Sequence, residues 1–208
     1  MTAGKRTKKK KPKRGGGKLV ITRRGAIVLG ALVCVVLALV GFLGGRATGA
    51  PPGADPYAQT IREWARAYNV NADLVAAVVE AESSGRPRAV SPAGALGLMQ
   101  LMPATAAEIA RELGLDEPTR EDLFEPEVNI RFGVYYLSKL RERFGDEREL
   151  VIAAYHAGPT RVDAWRTSRA DLASVDVVRE LAFPQTRRYV ERVMSLWRRK
   201  AAEAGSAP

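Results

Sequence analysis

The sequence is poor in the side chains that form disulfides and bind transition metals. It contains one cysteine, Cys34, and one histidine, His156, among 208 residues. A single cysteine excludes an intramolecular disulfide, and a structural zinc site needs several Cys or His ligands. Cys34 lies in an apolar run, which disfavours a catalytic thiol. We therefore expect no metal site, and no residue pattern indicates a cofactor.

Acidic residues are absent from the first 50 positions, which hold twelve of the 33 Lys and Arg residues. The chain after position 50 contains the other 21 basic residues and all 23 acidic ones, so its net charge is close to zero. A nucleic-acid-binding domain is expected to carry its basic charge on the fold itself. We therefore expect no nucleic-acid partner, although a basic tail can bind nucleic acid on its own.

The amino-terminal part predicts a disordered tail followed by a membrane helix. Residues 1–24 are rich in Lys and Arg and cannot supply a core. Residues 25–45 contain no charge, and 21 residues of helix match the hydrocarbon thickness of a bilayer. Because basic flanks stay in the cytoplasm, the rest of the chain is predicted to lie outside it, beyond the inner membrane.

A cleaved signal peptide is the main alternative to a membrane anchor. The apolar part of a signal peptide usually spans about 7–15 residues, which is shorter than the run at 25–45. Small residues after the run, Ala47, Gly49 and Ala50, keep cleavage possible. We interpret the run as a single-pass anchor, followed by a Gly/Pro/Ala linker at 46–56.

Residues 57–203 are predicted to form one all-α domain, because apolar residues recur with a helical period and no segment alternates like a strand. Capping and stop signals, such as Asn71 as an N-cap, delimit the helices. The predicted spans are 71–84, 103–113, 126–144, 147–157 and 184–202, with a loop at 85–100.

Glu82 is the strongest candidate for chemistry. Val78 and Val79 belong to an apolar stripe of the predicted helix, and Glu82 follows at helical spacing within that stripe. Glu80 falls on the opposite face, which we expect to point towards solvent. Burial raises the pKa of a carboxyl, so Glu82 is a candidate general acid near neutral pH. A surface glutamate at a fraying helix end is the alternative.

Three further clusters are ambiguous when each is interpreted alone. The Gly- and Pro-rich loop around Ser91 and Gln100 fits either a ligand-binding loop or a tight turn. Tyr155 and His156 stand at a predicted helix end, where a core tyrosine and a surface histidine are the commoner case. Residues 183–189 are typical of a helix start with Pro at its first turn.

Taken together, these clusters resemble the soluble-lytic-transglycosylase type of lysozyme-like domain, also known as the SLT domain of glycoside hydrolase family 23. Five sequence blocks match that family in order over about 140 residues. They are Glu82-Ser83 with the Pro-x-Ala-x-Ser-x-x-Gly stretch 87–94, the Gly-Leu-Met-Gln stretch 97–106, the Asn-Ile stretch 129–137, the AYHAG block 154–158 and residues 185–190.

The resemblance implies a role for each matching residue. Glu82 corresponds to the single catalytic glutamate of the family. Tyr155 is expected near its carboxyl. The positions expected to line the sugar cleft are Ser91, Gln100, Met102, Tyr155 and Tyr189, together with two departures from the pattern. These are His156, where the family usually has Asn, and Gln185, where it usually has Glu.

The substrate implied by the resemblance is the glycan strand of peptidoglycan. The reaction cleaves the β-1,4 bond after N-acetylmuramic acid and forms a 1,6-anhydro sugar, with Glu82 as acid and then base. A lysozyme-type hydrolase is the nearest alternative, but it usually needs a second carboxylate or a positioned water. A glycan-binding module without catalysis is the other, and the changes at His156 and Gln185 favour it.

Overall fold

The structure is a computed structural model that describes residues 55–169, 176, 180 and 183–205. The predicted basic tail and the predicted membrane span at 25–45 lie outside these residues. Among the helices of the described part, none is long and apolar enough to cross a membrane.

The described residues form α-helices, one short 3₁₀ helix and connecting loops, which confirms the all-α prediction. Two isolated bridges, Val90–Leu96 and Leu96–Leu101, are the β-type pairing recorded in this part of the chain. No sequence pattern predicts the 3₁₀ helix Asp122–Phe124. Helices α1 to α7 span Ala58–Ala67, Ala72–Ser83, Pro103–Leu113, Pro126–Phe144, Arg148–Ala157, Pro159–Thr167 and Pro184–Glu203.

The helix ends follow the capping residues of the sequence. Asn71 precedes α2, and its side-chain oxygen accepts a hydrogen bond of 2.9 Å from the backbone N–H of Leu74. This confirms the predicted N-cap, which satisfies a backbone donor that has no partner within the helix. Gly114 and Gly145 follow the last residues of α3 and α4, as predicted. Three predicted boundaries are off by one residue, because α2 ends at Ser83, α5 begins at Arg148 and α7 ends at Glu203.

Two apolar clusters form the core, and the loop between α2 and α3 packs into both. The larger cluster is built around α2, α4, α5 and α7, and includes Leu98 and Met99 of the loop. The smaller cluster joins α3, the 3₁₀ helix and α4 to Leu96 and Leu101 of the same loop. The carboxyl end of α2, which carries Glu82, therefore adjoins a loop that packs into both clusters.

Candidate active site

Glu82 lies in the last turn of α2, partly covered by α7. Its Oε1 accepts a hydrogen bond of 2.6 Å from the hydroxyl of Tyr189. Burial raises the pKa of Glu82 from 4.5 to about 7, because the carboxylate loses hydration. The hydrogen bond from Tyr189 and the charge of Arg192 lower that pKa, but they offset only part of the effect of burial.

Glu80 does not simply face solvent as expected. Its carboxylate contacts α7, with Oε1 2.7 Å from Arg199 and Oε2 2.8 Å from Lys200. The hydrogen bond from Lys200 is the main reason why its pKa is lowered. The prediction that it points away from Glu82 agrees with these partners, and its ion pairs are an addition that the sequence analysis did not include. The cations that pair with it lie more than 100 positions later in the chain, so the local spacing could not show them.

Two tyrosines flank Glu82, and they bind different acceptors. Tyr189 donates to the carboxylate, whereas Tyr155 donates to the backbone carbonyl of Met99 at 2.8 Å. Burial raises the pKa of both phenols well above the usual range, and the charge of Glu82 adds to this effect. Both hydroxyls therefore stay protonated. The tyrosine bonded to the carboxyl is Tyr189, and Tyr155 is close enough to interact with it electrostatically.

His156 lies at the end of α5, and Gln185 lies at the start of α7. The His156 ring stacks on the Tyr189 ring, with centroids 4.5 Å apart. Gln185 is exposed in the first turn of α7 and lines a cavity of about 440 Å³ together with His156. Among the described residues, the charged side chains that line this cavity are Arg161 and Arg188, so the cavity carries positive charge.

The loop residues predicted to line the cleft divide into two groups. The Ser91 hydroxyl accepts a hydrogen bond of 3.0 Å from the Ala95 N–H, and the Gln100 amide donates to the carbonyls of Ala89 and Gly97. These side chains close the loop on itself. Met102 is 42% exposed, so its side chain is available to a ligand.

Asn129 holds the loop in place, although the sequence assigned it no role beyond its block. Its carbonyl accepts from the Met99 N–H at 2.7 Å, and its amide donates to the carbonyls of Leu96 and Leu123 at 2.9 and 2.7 Å. Gly97 lies directly against it at a positive φ of 78°, and a Cβ there would collide with the Asn129 amide. The burial of Asn129 and its contact with Gly97 are visible only in the structure, because the two residues lie 32 positions apart in the sequence.

Ser83 ties the end of α2 to the same loop. Its buried hydroxyl donates to the carbonyl of Leu98 at 2.8 Å and lies 3.1 Å from that of Val79. Ser83 follows Glu82 directly, so this contact fixes the backbone that carries the carboxyl. The site thus presents one protonatable carboxyl, oriented by a phenol and placed against a rigid loop. Such a group can donate and accept a proton near neutral pH.

The sequence is similar to those of a known protein family and of several characterised proteins. A family model described as the transglycosylase SLT domain matches residues 59–177. The chain is 35% identical over 141 residues to the soluble lytic murein transglycosylase of Salmonella typhimurium, covering 67% of this chain and 22% of that protein. It is 37% identical over 161 residues to the membrane-bound lytic murein transglycosylase C of Haemophilus ducreyi, covering 67% and 44%. The chain therefore spans less than half of either relative.

The fold is similar to that of solved lytic transglycosylase structures. The 70 kDa soluble lytic transglycosylase of Escherichia coli matches with a TM-score of 0.70 and 31% identity, over 73% of this chain and 25% of that one. An inactive glutamate-to-glutamine mutant of the lytic transglycosylase Slt from Pseudomonas aeruginosa gives 0.69 and 34%, over 74% and 25%. The predicted lysozyme-like helical fold is thereby confirmed.

Proposed function

Since the chain belongs to the transglycosylase SLT domain family, we propose that it is a lytic transglycosylase that cleaves bacterial peptidoglycan. The observation that carries the proposal is Glu82, whose pKa of about 7 makes it a proton donor near neutral pH. Its hydrogen bond from Tyr189 occupies one carboxyl oxygen and leaves the other for the substrate. No second ionisable group is needed for the reaction below.

The reaction uses Glu82 twice. First it donates its proton to the glycosidic oxygen while the bond from that oxygen to C1 of N-acetylmuramic acid breaks, through an oxocarbenium-like transition state. The resulting carboxylate then takes the proton of the 6-hydroxyl of the same sugar, whose oxygen bonds to C1. The products are a 1,6-anhydromuramic end and a free 4-hydroxyl, and Glu82 is again protonated.

The charges around Glu82 support attack by the 6-hydroxyl over attack by water. Hydrolysis by the glycosidase template usually uses a second carboxylate across the sugar ring. In the described residues, the charged group that acts on Glu82 is the cation Arg192, and Gln185 is an amide that cannot serve as a base. Arg192 stabilises the carboxylate formed after the first proton transfer. Intramolecular attack also has an entropic advantage.

The remaining site residues are proposed to position the glycan. Met102 offers an exposed apolar side chain, and the loop closed by Ser91 and Gln100 is joined to the end of α2 by the hydrogen bond from Ser83 to Leu98. Tyr155 supports the same loop through Met99. Gln185 lies at the edge of the positively charged cavity, where polar groups of the substrate can bind.

Product analysis tests the proposed function. The purified domain is incubated with peptidoglycan, and released fragments are analysed by mass spectrometry. We expect anhydro-muropeptides about 18 mass units lighter than hydrolysed fragments, since no water is added. Borohydride should leave their mass unchanged, and heavy-oxygen water should not label them. Reducible, labelled products would show a hydrolase, and binding without release would show a glycan-binding module.

We also propose that the catalytic domain is held outside the cytoplasm by a helix at residues 25–45. The support is the 21-residue uncharged run with its basic flank, which satisfies both the length and the charge rule for an anchor. A periplasm-dependent reporter fused after Pro208 should be active. An active cytoplasm-dependent reporter would contradict this topology, and a mature protein that begins near Ala50 would replace the anchor with a cleaved signal.

A further inference from the structure

His156 departs from the family pattern, and it contacts the tyrosine that binds the catalytic carboxyl. The two rings stack with centroids 4.5 Å apart and planes inclined by 29°. The Nδ1 atom of His156 lies 3.1 Å from Oγ1 of Thr186, which is buried in α7 three residues before Tyr189. His156 therefore connects the end of α5 to the turn of α7 that presents Tyr189.

We propose that His156 is a positioning residue, which fixes the Tyr189 ring and through it the orientation of the Glu82 carboxyl. This inference rests on the proposed function, because the reaction requires a carboxyl aimed at the glycosidic oxygen. A misplacement of about 1 Å at a reacting group can cost about 100-fold in rate, so small movements of the phenol matter.

The contacts of His156 explain why it can act in this way. Tyr189 reaches Glu82 with its terminal hydroxyl, so a swing of the whole side chain about its Cα–Cβ bond moves the 2.6 Å hydrogen bond directly. The stacked His156 ring covers one face of the Tyr189 ring and so blocks a swing of that ring towards His156. The Thr186 hydroxyl can both donate and accept, so its contact with Nδ1 survives in either protonation state of the imidazole. Asparagine, the usual family residue, offers an amide but no ring to stack.

The charges around the pair make the inference measurable. Glu82 interacts with Tyr189 and Arg192 from α7 and with Tyr155 from α5. His156 shares its cavity with Arg161 and Arg188. Burial lowers the pKa of His156, which favours the neutral imidazole. Because greater hydration of the carboxyl would lower the pKa of Glu82, a rise in that pKa after substitution of His156 reports a weakened hydrogen bond from Tyr189.

A double-mutant cycle with His156→Ala and Tyr189→Phe tests the proposal. We expect His156→Ala to lower kcat about 10-fold, with a smaller effect on KM, because the lost orientation acts on the reacting carboxyl while Arg161, Gln185 and Arg188 still line the cavity. In the Tyr189→Phe background the same change should cost less than about two-fold. His156→Phe, which keeps an aromatic ring, should restore kcat to within about three-fold.

A second readout does not need activity. Carbon-13 NMR of labelled glutamate should show a higher pKa for Glu82 in His156→Ala, since the hydrogen bond that lowers it is weakened, and no such change in the Tyr189→Phe background. Tyr135→Phe is the matched control. It removes a phenol hydroxyl of α4, which donates a hydrogen bond of 2.8 Å to the carboxylate of Glu112. It should leave both kcat and the pKa of Glu82 unchanged.

The outcomes separate this inference from the proposed function. An equal loss of kcat from His156→Ala in both backgrounds, or a rise in KM with constant kcat, would overturn the positioning role. An unchanged pKa of Glu82 in His156→Ala would overturn it as well. A wild-type domain that releases no anhydro product would instead refute the proposed function, while the NMR cycle would still decide whether His156 orients Tyr189.

Discussion

Glu80 and Glu82 stand two positions apart on α2, yet their surroundings shift their acidity in opposite directions. Glu80 meets Lys200 and Arg199, and its pKa is lowered. Glu82 meets the phenol of Tyr189, and burial raises its pKa to about 7. Two residues of an α-helix turn through about 200°, so each carboxyl faces a different part of the molecule.

The difference shows that one helix can prepare two carboxyls for opposite tasks. α7 supplies the partners of both, but it offers cations to Glu80 and a neutral hydroxyl to Glu82. Cations stabilise the charged carboxylate of Glu80, whereas burial keeps the proton on Glu82 near neutral pH although the Tyr189 hydrogen bond and Arg192 favour its charged form. Glu80 therefore has a structural role, and we propose that Glu82 transfers the proton.

The largest expected effect is on activity. Glu82→Gln preserves the shape of the side chain but removes the transferable proton, so the release of peptidoglycan fragments should fall at least about 100-fold. Glu80→Gln is the matched control, with the same chemical change two residues away, and it should alter the rate less than about two-fold. If Glu80→Gln abolished activity and Glu82→Gln did not, the assignment of the two carboxyls would be reversed.

The second effect is on stability and depends on pH. Because the pKa of Glu82 is higher in the folded state, its proton is lost more easily on unfolding, and stability falls as pH rises from about 4.5 to 7. Glu82→Gln removes that penalty. The variant should match the wild type near pH 4 and exceed it above pH 7 by up to about 3 kcal/mol.

Urea unfolding of both proteins at pH 4 and pH 8 measures this difference. A constant offset between the two proteins at both pH values would mean that the folded protein does not raise the pKa of Glu82. Glu80→Gln again provides the control, since it should show no gain in stability at high pH.

Much of the fold follows from local sequence signals. Asn71 predicts the start of α2, and Gly114 and Gly145 mark the ends of α3 and α4, because capping chemistry acts within a few residues. The 3₁₀ helix Asp122–Phe124 escapes prediction, since one short turn has no periodicity to detect.

The candidate site is predictable only in part, because sequence signals report contacts between residues that are close in the chain. The apolar stripe of α2 identifies Glu82, because its neighbours are local. The bond from Tyr189, the ion pairs of Glu80 and the loop contacts of Asn129 join residues 30 to 120 positions apart. Residue patterns alone could not rank Tyr189 above Tyr155 as the partner of the carboxyl.

The third effect concerns the hydrogen bond that orients Glu82. Tyr189→Phe removes a donor that lowers the pKa of Glu82, so the alkaline limb of the kcat/KM profile should move upward by about one pH unit. Tyr135→Phe removes an equivalent phenol from Glu112 and should not move it. A downward shift in Tyr189→Phe would show that the phenol does not stabilise the carboxylate.

The smallest effect concerns the ion pairs of Glu80. Glu80→Gln should lower the free energy of unfolding by less than about 1 kcal/mol at pH 7, because the pairs are partly exposed. The lowered pKa means that this contribution is present above the ordinary value of about 4.5 and is lost as pH falls below it. Chemical denaturation with and without added salt checks this, and a loss unaffected by salt would contradict an electrostatic origin.

The most direct test of the central claim is the titration of Glu82 itself. Carbon-13 NMR of the side-chain carboxyls, labelled in glutamate and compared with Glu82→Gln, assigns the single signal that disappears. The account predicts a midpoint near pH 7 for that signal, with Glu80 titrating below its ordinary range. A Glu82 midpoint at or below about 4.5, the value of an exposed glutamate, would contradict the claim that burial prepares this carboxyl as the proton donor.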